Sequence, residues 1–311
     1  MKQITLGKWR RLQQAANSSS TFSILAIDHR GPLRRALDDQ DGPGSGTDEN
    51  LSSLKIDVVR RLSPFSSAVL LDPETGVSPC LSEGALDGAT GLLIALDTGS
   101  PGDAAVLSTD LVKDWTVERI LRTGGAGVKL LIYWHPDAPN ASQVEAQIAA
   151  VGAACSEFEV PFFLEPLSYN PESPQTPLPS AERRQVVIQA AEKLVPLGAD
   201  ILKSEFPINA SEVKDEAIWK EACEELNATS SVPWVILSAG VSYEVFHRQT
   251  EIACGAGASG IMVGRAVWKE AATLDLEKRN GFLSDTAAQR MDSLQSICRS
   301  SGHPFTDILK L

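Results

Sequence analysis

The chain has 311 residues, 43% of them hydrophobic and 22% charged, with 23 glycines and 18 prolines. Those proportions fit a soluble chain with a sizeable core and exclude collagen-like or disordered material. Against 40 acidic side chains stand 28 lysines and arginines, a formal charge of -12, which opposes binding to nucleic acid or anionic membranes, so neither is expected as a partner.

Cysteines at 80, 155, 223, 254 and 298 are odd in number and widely spaced, which argues against a disulfide framework or zinc cluster and for a reducing, cytoplasmic compartment. Residues 1–16 read as a basic amphipathic helix with Leu6, Trp9, Leu12 and Ala16 on one face. No apolar stretch of signal-peptide or membrane-spanning length follows.

Eight short apolar runs come next in chain order, at 22–27, 68–71, 92–96, 128–133, 161–164, 201–202, 234–237 and 260–263. Segments with helical spacing separate them, among them 51–62, 142–158, 181–197, 211–226 and 243–256, the last capped by Ser242 and stopped by Gly255 and Gly257. The stretches 42–47 and 168–180 read as loops. Eight β–α units predict an α/β protein made of a single (β/α)8 barrel domain over 1–311, with a short N-terminal helix.

What ends each run carries the functional information. Asp28, Asp72, Asp97, Glu165, Lys203 with Glu205, Ser238 and the pair Gly264-Arg265 lie at strand ends, and Lys129 lies inside the fourth run. In a barrel these ends converge on the face that holds the active site. Lys203, flanked by Leu202 and other apolar residues, is expected to be desolvated and to have its amine pKa lowered, so that it can attack a carbonyl. Lys129, two strands earlier, belongs to the same layer and reaches toward it. Glu165, Asp28 and Glu205 are available for proton transfer. Alternatively both lysines are structural and pair with carboxylates such as Glu165.

At the seventh and eighth strand ends, Ser238, Ala239 and Gly240 offer N–H and hydroxyl donors, and Arg265 offers a fork suited to phosphoryl oxygens. His29, His135, His247 and His303 form no spaced pair, so no metal and no other cofactor is expected.

Seven segments in order carry a resemblance: Leu25-Ala26-Ile27-Asp28-His29-Arg30-Gly31, 70–76, 128–133, Phe163-Leu164-Glu165, Leu202-Lys203-Ser204-Glu205-Phe206-Pro207, 237–241 and 264–268. The sequence resembles the class I, Schiff-base aldolases of the tagatose-1,6-bisphosphate and sulfofructose-phosphate aldolase family. The resemblance implies that Lys203 forms the imine, Lys129 is its cationic neighbour and Glu165 moves protons. It implies further that Asp28 and Arg30 contact the sugar backbone, and that Ser238, Gly240 and Arg265 hold the phosphate of the dihydroxyacetone half. His29 stands where the family usually has glutamine and is expected near the far end of the substrate. Ser204 stands where the family usually has valine, and strand alternation turns it away from Lys203.

The expected substrate is a phosphorylated ketose, tagatose 1,6-bisphosphate first and sulfofructose 1-phosphate second. A metal-dependent aldolase, another imine-forming reaction and a non-catalytic sugar-phosphate sensor are the rival readings. The resemblance implies a homodimer or homotetramer, and Trp219, Trp268 and the helix 287–299 are the apolar surfaces expected to serve it.

Overall fold

The computed structural model describes residues 1–99 and 106–311. Strands β1 (Phe22–Ala26), β2 (Ala68–Leu71), β3 (Gly91–Ala95), β4 (Gly127–Trp134), β5 (Phe162–Ser168), β6 (Ile201–Ser204), β7 (Trp234–Leu237) and β8 (Gly260–Val263) are all parallel. Each pairs with the next, and β8 pairs with β1, so the sheet closes into a (β/α)8 barrel as the sequence predicts.

Alternation along the strands divides the core. Ile24, Ala26, Leu70, Leu93, Ala95, Phe163, Ile201, Val235 and Met262 form the inner cluster, while Leu25, Leu71, Ile94, Leu130, Leu164, Leu202 and Ile236 pack with the surrounding helices. Asp28, Asp97, Glu165 and Lys203, each two residues on from an inner side chain (Ala26, Ala95, Phe163, Ile201), therefore enter the barrel mouth. The fifth and sixth strands run further than predicted, to Ser168 and Ser204. Glu165 and Lys203, expected at strand ends, accordingly lie within paired strands, opposite Leu131 and Val235.

The floor is closed by the N-terminal helix, which spans Leu6–Ala15 and is capped by Thr5. It buries Leu12 and Ala15 against the inner cluster, where Phe305 stacks on Phe22 at 5.6 Å. Leu6, expected on the apolar face, is instead 71% exposed, because the chain ahead of it forms a strand, Lys2–Gln3, paired with Leu309–Lys310. Asp200 locks the floor: it takes Lys8 at 2.6 Å, Lys2 at 3.3 Å and the Phe162 N–H at 3.0 Å.

Other departures have local causes. The helix expected from 211 begins at Glu216, because the Asp215 side chain caps it by accepting from the Ala217 N–H. The expected assembly surfaces are used within the chain. Trp268 is 1% exposed, packs edge-on against His29 and donates to the Ala26 carbonyl at 3.1 Å. Trp219 packs against Phe206 and donates to Val213, and the last long helix, Ala288–Ser301, buries Met291, Leu294 and Cys298. All five cysteines are buried and unpaired; burial pushes the thiols of Cys80, Cys155 and Cys223 up to about 12. Among the described residues no helix is long and apolar enough to cross a membrane.

Asp72, read as a strand-end carboxylate, does not enter the mouth. It caps the turn after β2 by accepting from the Thr75 N–H at 2.8 Å, and it is ion-paired with Lys55, both side chains being fully buried. Burial lowers the Lys55 pKa, and the Asp72 charge opposes that. Removing one member of such a pair strands the other charge. Lys55→Met is expected to cost about 3–5 kcal/mol of stability, and Lys55→Met with Asp72→Leu to recover part of it. Urea unfolding midpoints of the two variants check this.

Candidate active site

The C-terminal ends of the strands enclose a pocket of about 270 Å³ lined by Asp28, His29, Arg30, Asp97, Lys129, Glu165, Lys203, Glu205, Ser238, Ala239, Gly264 and Arg265, among others. Lys129 enters from β4, Glu165 from β5 and Lys203 from β6. Both ammonium groups lie 2.8 Å from the same Glu165 oxygen, Oε2. Even-numbered strands thus place the two lysines in one layer, as expected, with a carboxylate between them.

Their surroundings differ. Lys129 also lies 2.8 Å from Asp28 and 3.1 Å from Asp97, so three carboxylates share one ammonium. Burial alone would lower the Lys129 pKa, but Asp28, Asp97 and Glu165 raise it well above the usual lysine value; it is a fixed cation. Burial likewise pushes the Asp28 carboxyl up, and Lys129, Lys203 and His29 overcome this and hold it well below the usual carboxylate range. Lys203, 4% exposed, has Glu165 as its one ion-pair partner among the described residues. The desolvation expected for Lys203 is present, but a carboxylate accompanies it.

Asp97 is the site residue that sequence reading left at a strand end without a role. It accepts from the Leu131 N–H at 2.9 Å and the Gly99 N–H at 3.1 Å, stitching β3 to β4 while it holds Lys129. Its strand-end position was the available signal; its partners are visible only in three dimensions. Glu205 lines the pocket but is committed elsewhere. It accepts from the Ser168 N–H at 2.7 Å and hydroxyl at 2.6 Å, and its other oxygen pairs with Arg183 at 3.2 Å. Ser204 faces away from the mouth, in a small gap under Val186 and Val187.

Arg30 is 7% exposed, pairs with Glu74 at 2.7 Å and donates to the Asp97 carbonyl. His29 also lines the pocket. A β-carbon on Gly264 would stand 2.9 Å from its ring, so the imidazole lies against the Gly264-Arg265 turn. Its Nδ1 is 3.8 Å from Asp28. Burial, with the Arg265, Lys203 and Lys129 charges adding to it and Asp28 opposing, lowers the His29 pKa to about 3. His135, His247 and His303 are outside this pocket.

Ser238 to Val241 forms a tight turn closed by the Val241 N–H on the Ser238 carbonyl, with Ala239 at φ 48° and Gly240 at φ 80°. A β-carbon at Gly240 would come within 3.3 Å of the Arg265 guanidinium carbon, so glycine both permits the backbone angle and makes room for that side chain. Gly240 itself stands behind Arg265 rather than in the pocket wall. Burial lowers the Arg265 pKa, and Glu165 and Asp28 oppose the shift from beyond ion-pair distance.

A (β/α)8 barrel with a paired lysine and carboxylate at its mouth is the architecture of an enzyme, and the comparisons give its class as an aldolase, a carbon–carbon lyase. The model of the DeoC/LacD family aldolases matches residues 22–270, and the chain belongs to that family. It is 33% identical over 288 residues to the tagatose 1,6-diphosphate aldolase of Listeria monocytogenes, covering 87% of this chain and 84% of the relative. Identity to tagatose 1,6-diphosphate aldolase 2 of Streptococcus mutans is 30% over 324 residues, covering 96% and 97%. Among solved structures, the fructose-bisphosphate aldolase of Plasmodium falciparum superposes with a TM-score of 0.72 at 15% identity, covering 97% of each chain, which shows a shared fold.

The lowered pKa values fix a pH dependence. His29 binds a proton near pH 6.5 when unfolded and near 3 when folded. Between those values the unfolded chain carries more protons, so stability falls as pH drops from about 6.5. Asp28 adds its loss only below about pH 4, the unfolded carboxylate value. The urea midpoint is expected to decline from pH 7 to pH 5, and less so in His29→Gln. Nitrogen NMR of the ring checks the cause: neutral-imidazole shifts at pH 5 are expected, and a titration near 6.5 contradicts them.

Proposed function

We propose that the enzyme is a class I aldolase that cleaves tagatose 1,6-bisphosphate to dihydroxyacetone phosphate and glyceraldehyde 3-phosphate through an imine on Lys203. The observation that carries this reading is the asymmetry of the two lysines. Lys129 is held by three carboxylates and Lys203 by one, which Lys129 shares. Only Lys203 can give up a proton without leaving several buried carboxylates unpaired. The names of the relatives, at 30–33% identity over most of both chains, support the substrate.

The chemistry follows from the contacts. Glu165 takes a proton from the Lys203 ammonium at 2.8 Å, and the neutral amine adds to the ketose C2 carbonyl. Loss of water gives an iminium. Glu165, once it has returned its proton to the departing oxygen, takes the proton of the C4 hydroxyl, and the C3–C4 bond breaks. The bonding pair passes through C2 to the iminium nitrogen, leaving an enamine and free aldehyde. Protonation at C3 and hydrolysis then release dihydroxyacetone phosphate and the amine. Lys129 stays charged throughout and holds Asp28 and Glu165 in place. Arg265 and the turn at Ser238 and Ala239, which line the pocket, bind the phosphate, fixing C2 over the amine.

Incubation with dihydroxyacetone phosphate and borohydride is expected to fix a reduced adduct on Lys203, seen by peptide mass spectrometry. An adduct on Lys129, or none, would overturn the assignment. Lys203→Met is expected to abolish both labelling and cleavage. Glu165→Gln should cut cleavage about 10²–10⁴-fold, the range of one proton-transfer group. A turnover panel of tagatose 1,6-bisphosphate, fructose 1,6-bisphosphate and sulfofructose 1-phosphate checks the substrate, the first being expected to turn over best.

A further inference from the structure

The two ring nitrogens of His29 stand in different surroundings. Nδ1 is sealed inside the protein with no hydrogen-bond partner among the described residues, and Asp28 Oδ1 faces it at 3.8 Å. The other Asp28 oxygen, Oδ2, is taken by Lys129 at 2.8 Å. Nε2 is not sealed. The side chain keeps 22% of its surface exposed and lines the pocket, so the open edge of the ring is the one that carries Nε2. The ring is wedged in this attitude, edge-on to Trp268 with centroids 5.4 Å apart. On the Gly264 side, a β-carbon would come within 2.9 Å of Cε1 and 3.6 Å of Nε2.

Electrostatics assign the proton. Burial, with the Arg265, Lys203 and Lys129 charges adding to it, keeps the imidazole neutral, and a neutral imidazole has one N–H and one bare lone pair. The N–H is favoured on the side of the Asp28 carboxylate, which leaves the lone pair for the side open to the pocket.

We propose that His29 holds its proton on Nδ1, toward Asp28, and presents Nε2 as an acceptor that reads the C3 hydroxyl of the ketose. This deepens the aldolase reading and rests on it for the identity of the ligand. The ring stands between the lysine and carboxylate cluster, through Asp28, and the Arg265 turn, through Gly264. A dihydroxyacetone unit joined to Lys203 and held by its phosphate at Arg265 spans the same two places. Its phosphate dianion and C2 carbonyl carry no proton, so the C3 O–H is the one donor this half can bring to a bare nitrogen. Glutamine, usual at this position in the family, can turn either end of its amide to a ligand. An imidazole fixed in one tautomer offers an acceptor alone.

The test compares dihydroxyacetone phosphate with hydroxyacetone phosphate, which keeps the ketone and the phosphate but has a methyl group in place of the C3 hydroxymethyl. Binding is followed by ³¹P NMR titration and imine formation, separately, by borohydride trapping. The parent is expected to bind dihydroxyacetone phosphate about tenfold more tightly, the worth of one hydrogen bond to an otherwise unpaired group. His29→Phe keeps a ring between Trp268 and Gly264; in it dihydroxyacetone phosphate should weaken by that factor and hydroxyacetone phosphate stay nearly unchanged. His29→Gln, whose side-chain carbonyl is an acceptor, should keep most of the preference. Nitrogen NMR of the free enzyme should show the His29 proton on Nδ1 and a bare Nε2. A preference absent from the parent or surviving in His29→Phe overturns the proposal, as does a proton on Nε2 or an equal loss for both ligands. Should the parent bind with the expected preference but trap neither ligand, the imine reading fails and the hydroxyl contact stands. A parent that binds neither ligand overturns both.

Discussion

One ammonium group organises the mouth of this barrel. Lys129, inside the closed sheet, lies within 3.1 Å of Asp28, Asp97 and Glu165. Three buried carboxylates without it would repel one another in a medium that screens poorly. With it, all three are held around one buried cation. The same arrangement leaves Lys203 sharing a single oxygen of a carboxylate already engaged, so two chemically identical side chains differ in how many partners each one has.

The barrel provides this because of its parity. Residues two apart on a strand face the same way, and alternate strands fill the same layer. Lys129 and Lys203 therefore meet across β5, and Glu165 on that strand completes the contact. Backbone groups supply the stiffness. Asp97 binds the Leu131 and Gly99 N–H groups while holding Lys129, and Glu205 does comparable work at the far rim with Ser168 and Arg183. Such carboxylates spend their lone pairs on the frame, which holds them in position at the pocket wall.

Charge is distributed with similar economy on the opposite side of the pocket. His29 is kept neutral by burial among cations, and it packs between Trp268 and Gly264. It thus separates the carboxylate and lysine cluster from the arginine turn without adding charge to either. Gly264 has no β-carbon because the imidazole and the Ala26 carbonyl occupy that space.

The strand count, the single closed barrel, the pairing of Lys203 with Lys129 and Glu165, and the placing of Ser238 and Arg265 near each other were legible in the sequence, because apolar runs of fixed parity and the residues ending them are local patterns. What the sequence could not decide was partnership. Asp28, Asp72 and Asp97 look alike as strand ends, yet one faces the pocket, one is buried on Lys55 and one clamps two strands. Trp219 and Trp268 read as apolar assembly surfaces, yet both are buried within the chain. Those outcomes depend on contacts between residues tens to hundreds of positions apart, such as Lys129 with Asp28 or Lys8 with Asp200. A local pattern fixes which face a side chain takes, but only closure of the barrel brings its partner to that face.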